Sequence, residues 1–462
     1  MLTTERSNID KRPATLEEIR NTLSTGTLNS IREVLPDRAV EAACRAAGWV
    51  YRKRLITPVV VVLHMILAAI WPEESFAASW QLVWDTMVSR LPGAQGRSPG
   101  SGTVAKARAR IPLEVWKNLF SWLAEQAEKL SEPVARWRGH RVVLMDGTVV
   151  SMPDLPALFE AFGRHRVMHG ACRYPLARIV TLALANTKVV IAHVLGRYDE
   201  GETSLARKIL PTLQEGDLLV ADRLYAGAHF YVRYLGHGVQ FLTRMHQRLK
   251  VRKLKLLATL GEGDVVVQLK VNAKYRRLDP SLPETVTVRL IHAAVRIRGK
   301  RTVLWLATSL LDPVRYPAAE VLALYLRRWR IETLFREVKV QLGADVLRSQ
   351  TPDGVRKEVI ARLIALNVVR SILIQAALEH GADPLRLSFV GGVRAILSFA
   401  PAFAIQPAWR LPLLYEAMLA EIASHVNPER PGRIEPRAVR REPKHYPALR
   451  TTRADWRRRH AA

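Results

Sequence analysis

Six positions carry side chains whose types and spacing suit chemistry on a phosphate. Four lie in YLRRWRIETLFREVK at 325–339: Tyr325, Arg328, Glu332 and Lys339. An α-helix turns about 100° per residue, which gathers these four within roughly 40° of Glu332's direction. Ile331, Phe335, Val338 and Leu342 form a second stripe about a quarter turn away, wide enough to be a core face. The spacing predicts a helix that holds Glu332 rigidly beside its buried face and lets it point into a cleft. The same pattern also describes an amphipathic helix with a solvated charge stripe. The other two positions are Asp146, after the apolar run VVLM at 142–145, and Asp222, after DLLVA at 217–221. Each run reads as a buried central strand that delivers an aspartate at its C-terminal end, where α/β sheets hold their ligands. Taken singly, either aspartate is weak evidence, because turn and capping roles explain most aspartates at strand ends. Together with Glu332 they form a set of hard oxygen donors without Cys or His, the kind that selects Mg²⁺ or Mn²⁺. Two such ions about 4 Å apart can bracket a scissile phosphate, one activating the attacking oxygen and the other stabilising the leaving oxygen.

The elements that must position these residues follow from the rest of the chain. Up to residue 130 the pattern is all-helical. Asp37 is placed to cap a helix ending at Gly48, Thr57-Pro58 starts another with proline at N1, and Ser101 or Thr103 is placed to cap VAKARARI. From 141 the texture becomes mixed α/β: the strand at 142–145, a hairpin partner at 148–152, strands at 177–185 and 189–195, a helix at 203–213, the strand before Asp222, a helix, and a strand at 239–243. Residues 245–310 break that rhythm with strands at 264–271, 285–295 and 302–307 and basic loops such as 274–277. The expected organisation is a helical N-terminal DNA-binding domain at 1–130 and a catalytic core in two parts, 135–244 and 311–380. A β-rich insertion at 245–310 separates the two parts. A helical region at 381–426 and a basic, disordered tail at 427–462 follow. The fold class is multidomain α/β.

Composition names the partner. The chain has 462 residues with Lys+Arg 70 against Asp+Glu 42, a net charge of +28. That surplus makes a large polyanion the expected partner, with nucleic acid the first candidate. Two cysteines, Cys44 and Cys172, leave no disulfide framework and fit a reducing cytosol. The longest apolar run, 55–71, contains Pro58 and His64 and is short for a membrane span, so it reads as a buried helix and no membrane partner is expected. His165, His169 and Cys172 have metal-like spacing but lack an evident fourth ligand.

Y-x2-R-x3-E-x6-K at Tyr325, Arg328, Glu332 and Lys339 resembles the YREK signature of the insertion-sequence-four family of bacterial DDE transposases. Asp146 in MDGT and Asp222 in ADRLY resemble that family's two catalytic aspartates, and SGTVAKARARIPLEVWKNLF resembles its N-terminal domain. The resemblance covers most of residues 30–375. It implies a ribonuclease-H-like mixed-sheet core with a β-rich insertion, in a cytoplasmic, nucleoid-associated bacterial enzyme. That enzyme would cleave at transposon ends and transfer strands into target DNA by a cut-and-paste route. Asp146, Asp222 and Glu332 would hold two Mg²⁺ or Mn²⁺ ions. Arg328, Lys339 and Tyr325 would contact DNA phosphates, and Trp305 in VLWLATS would stack on a flipped base or else pack in the β layer. Arg223 and Tyr225 would sit near the DNA. Synapsis of two ends implies a DNA-bound dimer. A DNA-binding repressor without catalysis, and a ribonuclease-H-like nuclease without strand transfer, are the competing functions.

Overall fold

The structure is a computed structural model that describes residues 29–52, 56–88, 98–167, 170–171, 174–245, 253–297, 300–428 and 458–459. The chain divides into two compact units, 1–294 with 303–428 and 295–302 with 429–462. The first unit carries every candidate residue. The described part of the second is the tip of one β-hairpin and residues 458–459. His169, Cys172 and most of the tail expected to be disordered lie outside the described residues.

Six helices open the described chain: α1 (Asn29–Val34), α2 (Asp37–Ala46), α3 (Pro58–Ile70), α4 (Phe76–Val88), α5 (Ser101–Arg110) and α6 (Leu113–Ala135). α3 starts as its sequence predicts. Thr57 accepts a bond from the Val60 amide and Pro58 sits in the first turn, where its missing N–H costs nothing. All thirteen residues of PVVVVLHMILAAI are buried in protein. α5 starts differently from expectation: Gly100 occupies the cap position and no side chain caps the helix, so Ser101 is already inside it.

The remaining elements run β1 (His140–Ser151), α7 (Pro156–Phe162), β2 (Leu176–Leu184), β3 (Val190–Arg197), α8 (Glu202–Ile209), β4 (Leu218–Ala221), α9 (Ala228–Gly236) and β5 (Gln240–Arg244). Then follow β6 (Lys255–Gly261), β7 (Asp264–Lys270), α10 (Ala273–Leu278), β8 (Thr285–Ile297), β9 (Lys300–Thr308), α11 (Ala318–Leu326), α12 (Arg330–Arg336), α13 (Pro352–Glu379), α14 (Phe389–Ile405) and α15 (Leu411–Ser424). The core strands lie in the order β3-β2-β1-β4-β5. β2 is antiparallel to both β1 and β3, while β4 is parallel to both β1 and β5. This is the ribonuclease-H-like arrangement. β5 then pairs with β9, and the sheet continues through β8, β7 and β6, so the insertion extends the core sheet.

Two expectations at this level are corrected. Residues 148–152 are no separate hairpin strand: β1 runs through Asp146-Gly147, and its ladder with β2 is unbroken from Val143↔Leu184 to Ser151↔Leu176. An Asp-Gly pair suggests a turn, but the long β2 partner keeps it extended. The supposed loop at 274–277 is helix α10, capped by Asn272, whose Oδ1 accepts from the Lys274 amide at 2.9 Å. β6 is an additional strand. Its residues are mostly exposed and show no alternation, which left no periodic signal.

The central strands are apolar on both faces because both faces are covered. Val143, Met145, Leu219 and Ala221 pack with Leu205 and Ile209 of α8 and with Phe230 and Tyr234 of α9. Elsewhere Leu184 and Val189 meet Ala127 of α6 and Ile374 of α13. α13 is long and apolar enough to cross a membrane by length and composition, yet 94% of its apolar window is buried inside the protein. It also carries buried Arg362, bonded to Glu358 at 2.8 Å, so it is the central helix of the core. Its Asn367 bonds both the N–H and the C=O of Val190, at 2.9 and 2.8 Å, and so seals one end of edge strand β3. In the insertion, fully buried Arg289 forks onto Asp264 and donates to the Tyr316 carbonyl at 2.7 Å, which ties β8 to the segment entering α11.

One buried histidine makes a stability prediction. His64 Nε2 lies 3.0 Å from Phe76 O and 3.1 Å from Ser79 Oγ, and burial lowers its pKa to about 4, with nearby Arg108 adding to that. The fold therefore favours neutral imidazole. That contribution is complete above the unfolded pKa near 6.5 and is lost as pH falls toward 4, by roughly 3 kcal/mol in all. His64→Gln is expected to flatten the acid limb of urea-melt stability between those pH values. An unchanged limb would rule this assignment out.

Candidate active site

Strand register assembles the first half of the site. β1 and β4 are parallel, about 4.8 Å apart, with Met145 opposite Ala221 as the last paired residues, so Asp146 and Asp222 each follow directly on that pair. Asp146 lies within β1 and not at its C-terminal end as expected, because the ladder with β2 continues to Ser151; its Oδ1 accepts from the Gly147 amide at 2.9 Å. Asp222 caps a single tight turn, Arg223–Tyr225, and accepts from the Leu224 amide at 2.6 Å. Both carboxylates are partly buried. Burial pushes the Asp146 carboxyl up to about 6. The Gly147 amide and Arg328 oppose this, while the charges of Asp222 and Glu202 add to it.

The second half comes from α11 and α12, and its geometry differs from that of a uniform helix. α11 ends at Leu326, Arg327–Trp329 is a tight 3₁₀ turn, α12 covers Arg330–Arg336, and Glu337–Gln341 is a wide π turn. The π turn shows in the bond from Leu342 N to Glu337 O, five residues back, at 2.9 Å. The even 100° step therefore does not hold over 325–339, and the four signature residues take different environments. Tyr325 is buried beside Arg328, and burial raises its phenol pKa. Arg328 is nearly buried. Its Nη1 is 3.6 Å from Asp146 Oδ2 and its Nη2 is 3.6 Å from Glu332 Oε1. Glu332 remains about half exposed, on a helix that packs against β1. Lys339 Nζ pairs with Asp345 at 3.0 Å, and the Asp345 carbonyl accepts from Ser151 N and Oγ at 3.0 and 2.8 Å. Lys339 is thereby fixed near the C-terminal end of β1.

The structure thus brings Asp146, Asp222, Tyr325, Arg328 and Glu332 together and sets Lys339 beside the end of the same strand. Trp305 is partly buried in β9 against the core, with its ring 4.4 Å from that of His292. Tyr225 is fully buried and donates to Glu202, which corrects its expected place at the DNA. Arg223 is exposed. His165 Nδ1 lies 2.8 Å from the Tyr198 hydroxyl.

Among the described residues, no three His, Cys, Asp or Glu side chains stand close enough to hold a metal as they are. Asp146 and Glu332 are instead linked through Arg328. The donor set nevertheless fits a hard divalent cation: it offers only carboxylate oxygens, and the mutual charge of Asp146 and Asp222 is one that a cation would offset.

Sequence reasoning missed Glu202 and Glu337. Glu202 opens α8, where an acidic residue reads as favourable to the helix dipole and gives no further signal. Its Oε1 accepts from the Tyr225 hydroxyl and its Oε2 from Arg178 Nη1, both at 2.7 Å. Glu337 lies between Lys188 and Arg370 beneath the π turn.

Comparisons with known proteins show the family of the chain. The family described as Transposase DDE domain matches residues 137–368. The chain is 30% identical over 360 residues to the transposase InsG of insertion sequence element IS4 from Escherichia coli K12, covering 74% of this chain and 77% of that protein. It is 25% identical over 281 residues to a putative transposase, y4zB, of Sinorhizobium fredii, covering 59% and 71%. Among solved structures, a piggyBac transposase synaptic complex with hairpin DNA aligns at a TM-score of 0.42 and 10% identity, over 88% of this chain and 86% of that one.

Proposed function

We propose a reaction for a chain that belongs to the Transposase DDE domain family: cleavage of DNA at transposon ends, followed by transfer of the freed strand into target DNA. In the first step water attacks a phosphodiester and releases a 3′-OH. In the second that hydroxyl attacks a target phosphodiester, so one P–O bond forms as another breaks. The observation that carries the reading is the placing of Asp146 and Asp222 directly after the paired residues Met145 and Ala221 of adjacent parallel strands, with Arg328 spanning from Asp146 to Glu332.

Asp146, Asp222 and Glu332 are the residues that would hold Mg²⁺ or Mn²⁺. When bound, two such ions supply the Lewis-acid charge that phosphoryl transfer needs. The chain's own groups do the rest. Arg328, anchored by carboxylates on either side, presents a guanidinium fork suited to a non-bridging phosphate pair. Tyr325, packed against it, holds that fork in place, and its hydroxyl is retained as a DNA-backbone contact only for a conformation that uncovers it. Lys339 adds a point charge at the end of β1. The net charge of +28 supports a double-stranded DNA partner, and joining two ends calls for two copies of the chain on DNA. Trp305 is retained as a base-stacking candidate only for a conformation that uncovers its ring.

The test is purified protein with Mg²⁺ and a labelled duplex carrying the element's terminal repeat, resolved for nicks, hairpins and joined products. Metal-dependent nicks and joined products are expected. Specific end binding with no cleavage under any divalent cation would favour a repressor and overturn the catalytic reading. A subsidiary expectation concerns Lys339→Ala, which should weaken end binding and reduce the salt slope of log K by about one phosphate contact. An unchanged slope in a NaCl titration would remove Lys339 from the phosphate contacts.

A further inference from the structure

We propose that Glu202 is the positioning residue for both strand-borne aspartates, holding the backbone that follows Asp146 and the turn that follows Asp222 to one shared reference point. The proposal rests on the assignment of those aspartates made above.

Three independent contacts carry it. Tyr225 closes the turn that Asp222 caps. Its ring is fully buried and its hydroxyl donates to Glu202 Oε1 at 2.7 Å, so the turn cannot shift without breaking that bond. On the other side the Glu202 carboxylate lies against Gly147, directly after Asp146. A Cβ at Gly147 would stand 2.4 Å from Glu202 Cδ and 2.7 Å from its Oε1. The glycine of the Asp-Gly pair thus leaves the space that a side chain 55 positions away fills, and forms no turn. Third, Arg178 of β2, opposite Val149 of β1, donates to Glu202 Oε2 at 2.7 Å. The carboxylate is therefore fixed from the sheet as well as from its own helix. The Arg178 guanidinium is itself seated over the Tyr198 ring, 5.2 Å from its centroid.

One carboxylate thus abuts the residue after Asp146 and is bonded to the third residue after Asp222. A group acting only to satisfy the buried Tyr225 hydroxyl would need neither the close approach to Gly147 nor the second oxygen on Arg178. Partners that orient metal-binding side chains typically matter by about 10–100-fold in metal affinity or activity when removed, even though they touch neither metal nor substrate.

The experiment compares wild type, Glu202→Ala, Glu202→Gln, Tyr225→Phe and the Glu202→Ala/Tyr225→Phe double variant as full chains. Thermal melts and end-duplex binding in EDTA control for folding. Mn²⁺ binding is read by electron paramagnetic resonance with end duplex present, and single-turnover cleavage is read separately. Glu202→Ala and Tyr225→Phe are each expected to weaken Mn²⁺ binding by about 10–100-fold with end binding intact. The double variant should be no worse than Glu202→Ala alone. Glu202→Gln, which keeps an acceptor for Tyr225, should recover most of the loss. Three results overturn the proposal. One is lower melting temperature with unchanged Mn²⁺ affinity, which makes Glu202 purely structural. Another is a Glu202→Gln defect as deep as that of Glu202→Ala beside a silent Tyr225→Phe, which makes it a ligand. The third is a wild type that binds no Mn²⁺. A wild type that binds Mn²⁺ but does not cut DNA fails the transposition reading while leaving the affinity comparison decisive for Glu202.

Discussion

Glu332→Gln is expected to bind a terminal-repeat duplex as wild type does and to cut it at least about a thousandfold more slowly, a barrier increase of roughly 4 kcal/mol. Gln and Glu have nearly the same volume, and Glu332 is half exposed on α12, so the substitution leaves no cavity and no buried polar group. What it removes is charge. Arg328 then faces Asp146 alone and the donor set falls from three carboxylates to two. Removing a negative charge beside the DNA cannot weaken phosphate binding electrostatically and is expected to leave it equal or slightly tighter. Asp146→Asn should behave in the same way. Single-turnover cleavage and fluorescence-anisotropy binding on one preparation separate the two effects. Residual cleavage together with lost binding would falsify the catalytic assignment of Glu332.

The sequence made the two aspartates legible because each ends a short run of apolar residues, which reads as a strand covered on both faces. The parallel pairing of Met145 with Ala221 then converts two separate signals into neighbours. The signature segment was legible in residue type but not in shape. Its helix is broken by a 3₁₀ turn and a π turn, and the first residue of the second, Glu337, is paired with Lys188 and Arg370 from outside the segment. A uniform helical wheel places Lys339 with Glu332, whereas the wide turn hands Lys339 to Asp345. Glu202 was illegible for a related reason. Its meaning depends on Gly147, Arg178 and Tyr225 converging from three elements, and no local pattern encodes that convergence. Gly147 itself misled, since an Asp-Gly pair carries a turn signal that an unbroken antiparallel ladder overrides.

The wide turn leads to the prediction with the largest expected effect on stability. Glu337 is buried and accepts from Lys188 Nζ at 2.9 Å and from Arg370, whose guanidinium lies over the Phe389 ring, 5.0 Å from its centroid. Burial alone would raise the Glu337 carboxyl, but Arg370 and Lys188 outweigh it and hold the pKa below the ordinary range. Lys188 is lowered to about 8, by burial first and by Arg370 second. Glu337→Ala leaves two buried cations without their counter-ion, a change expected to cost about 3–5 kcal/mol, because the desolvation of Lys188 and Arg370 is then uncompensated. The sign of its pH dependence follows. A lysine whose folded pKa lies below its unfolded value is stabilised, relative to the unfolded chain, as pH rises between the two. Losing Glu337 widens that window for Lys188, so the deficit of the variant should shrink as pH is raised from about 7 toward 10. Arg370 stays charged throughout, so the recovery is partial. Urea melts across that range measure both quantities. A deficit below about 1 kcal/mol, or one that grows with pH, would mean that the π turn, and with it the placement of Lys339, does not depend on this buried triad.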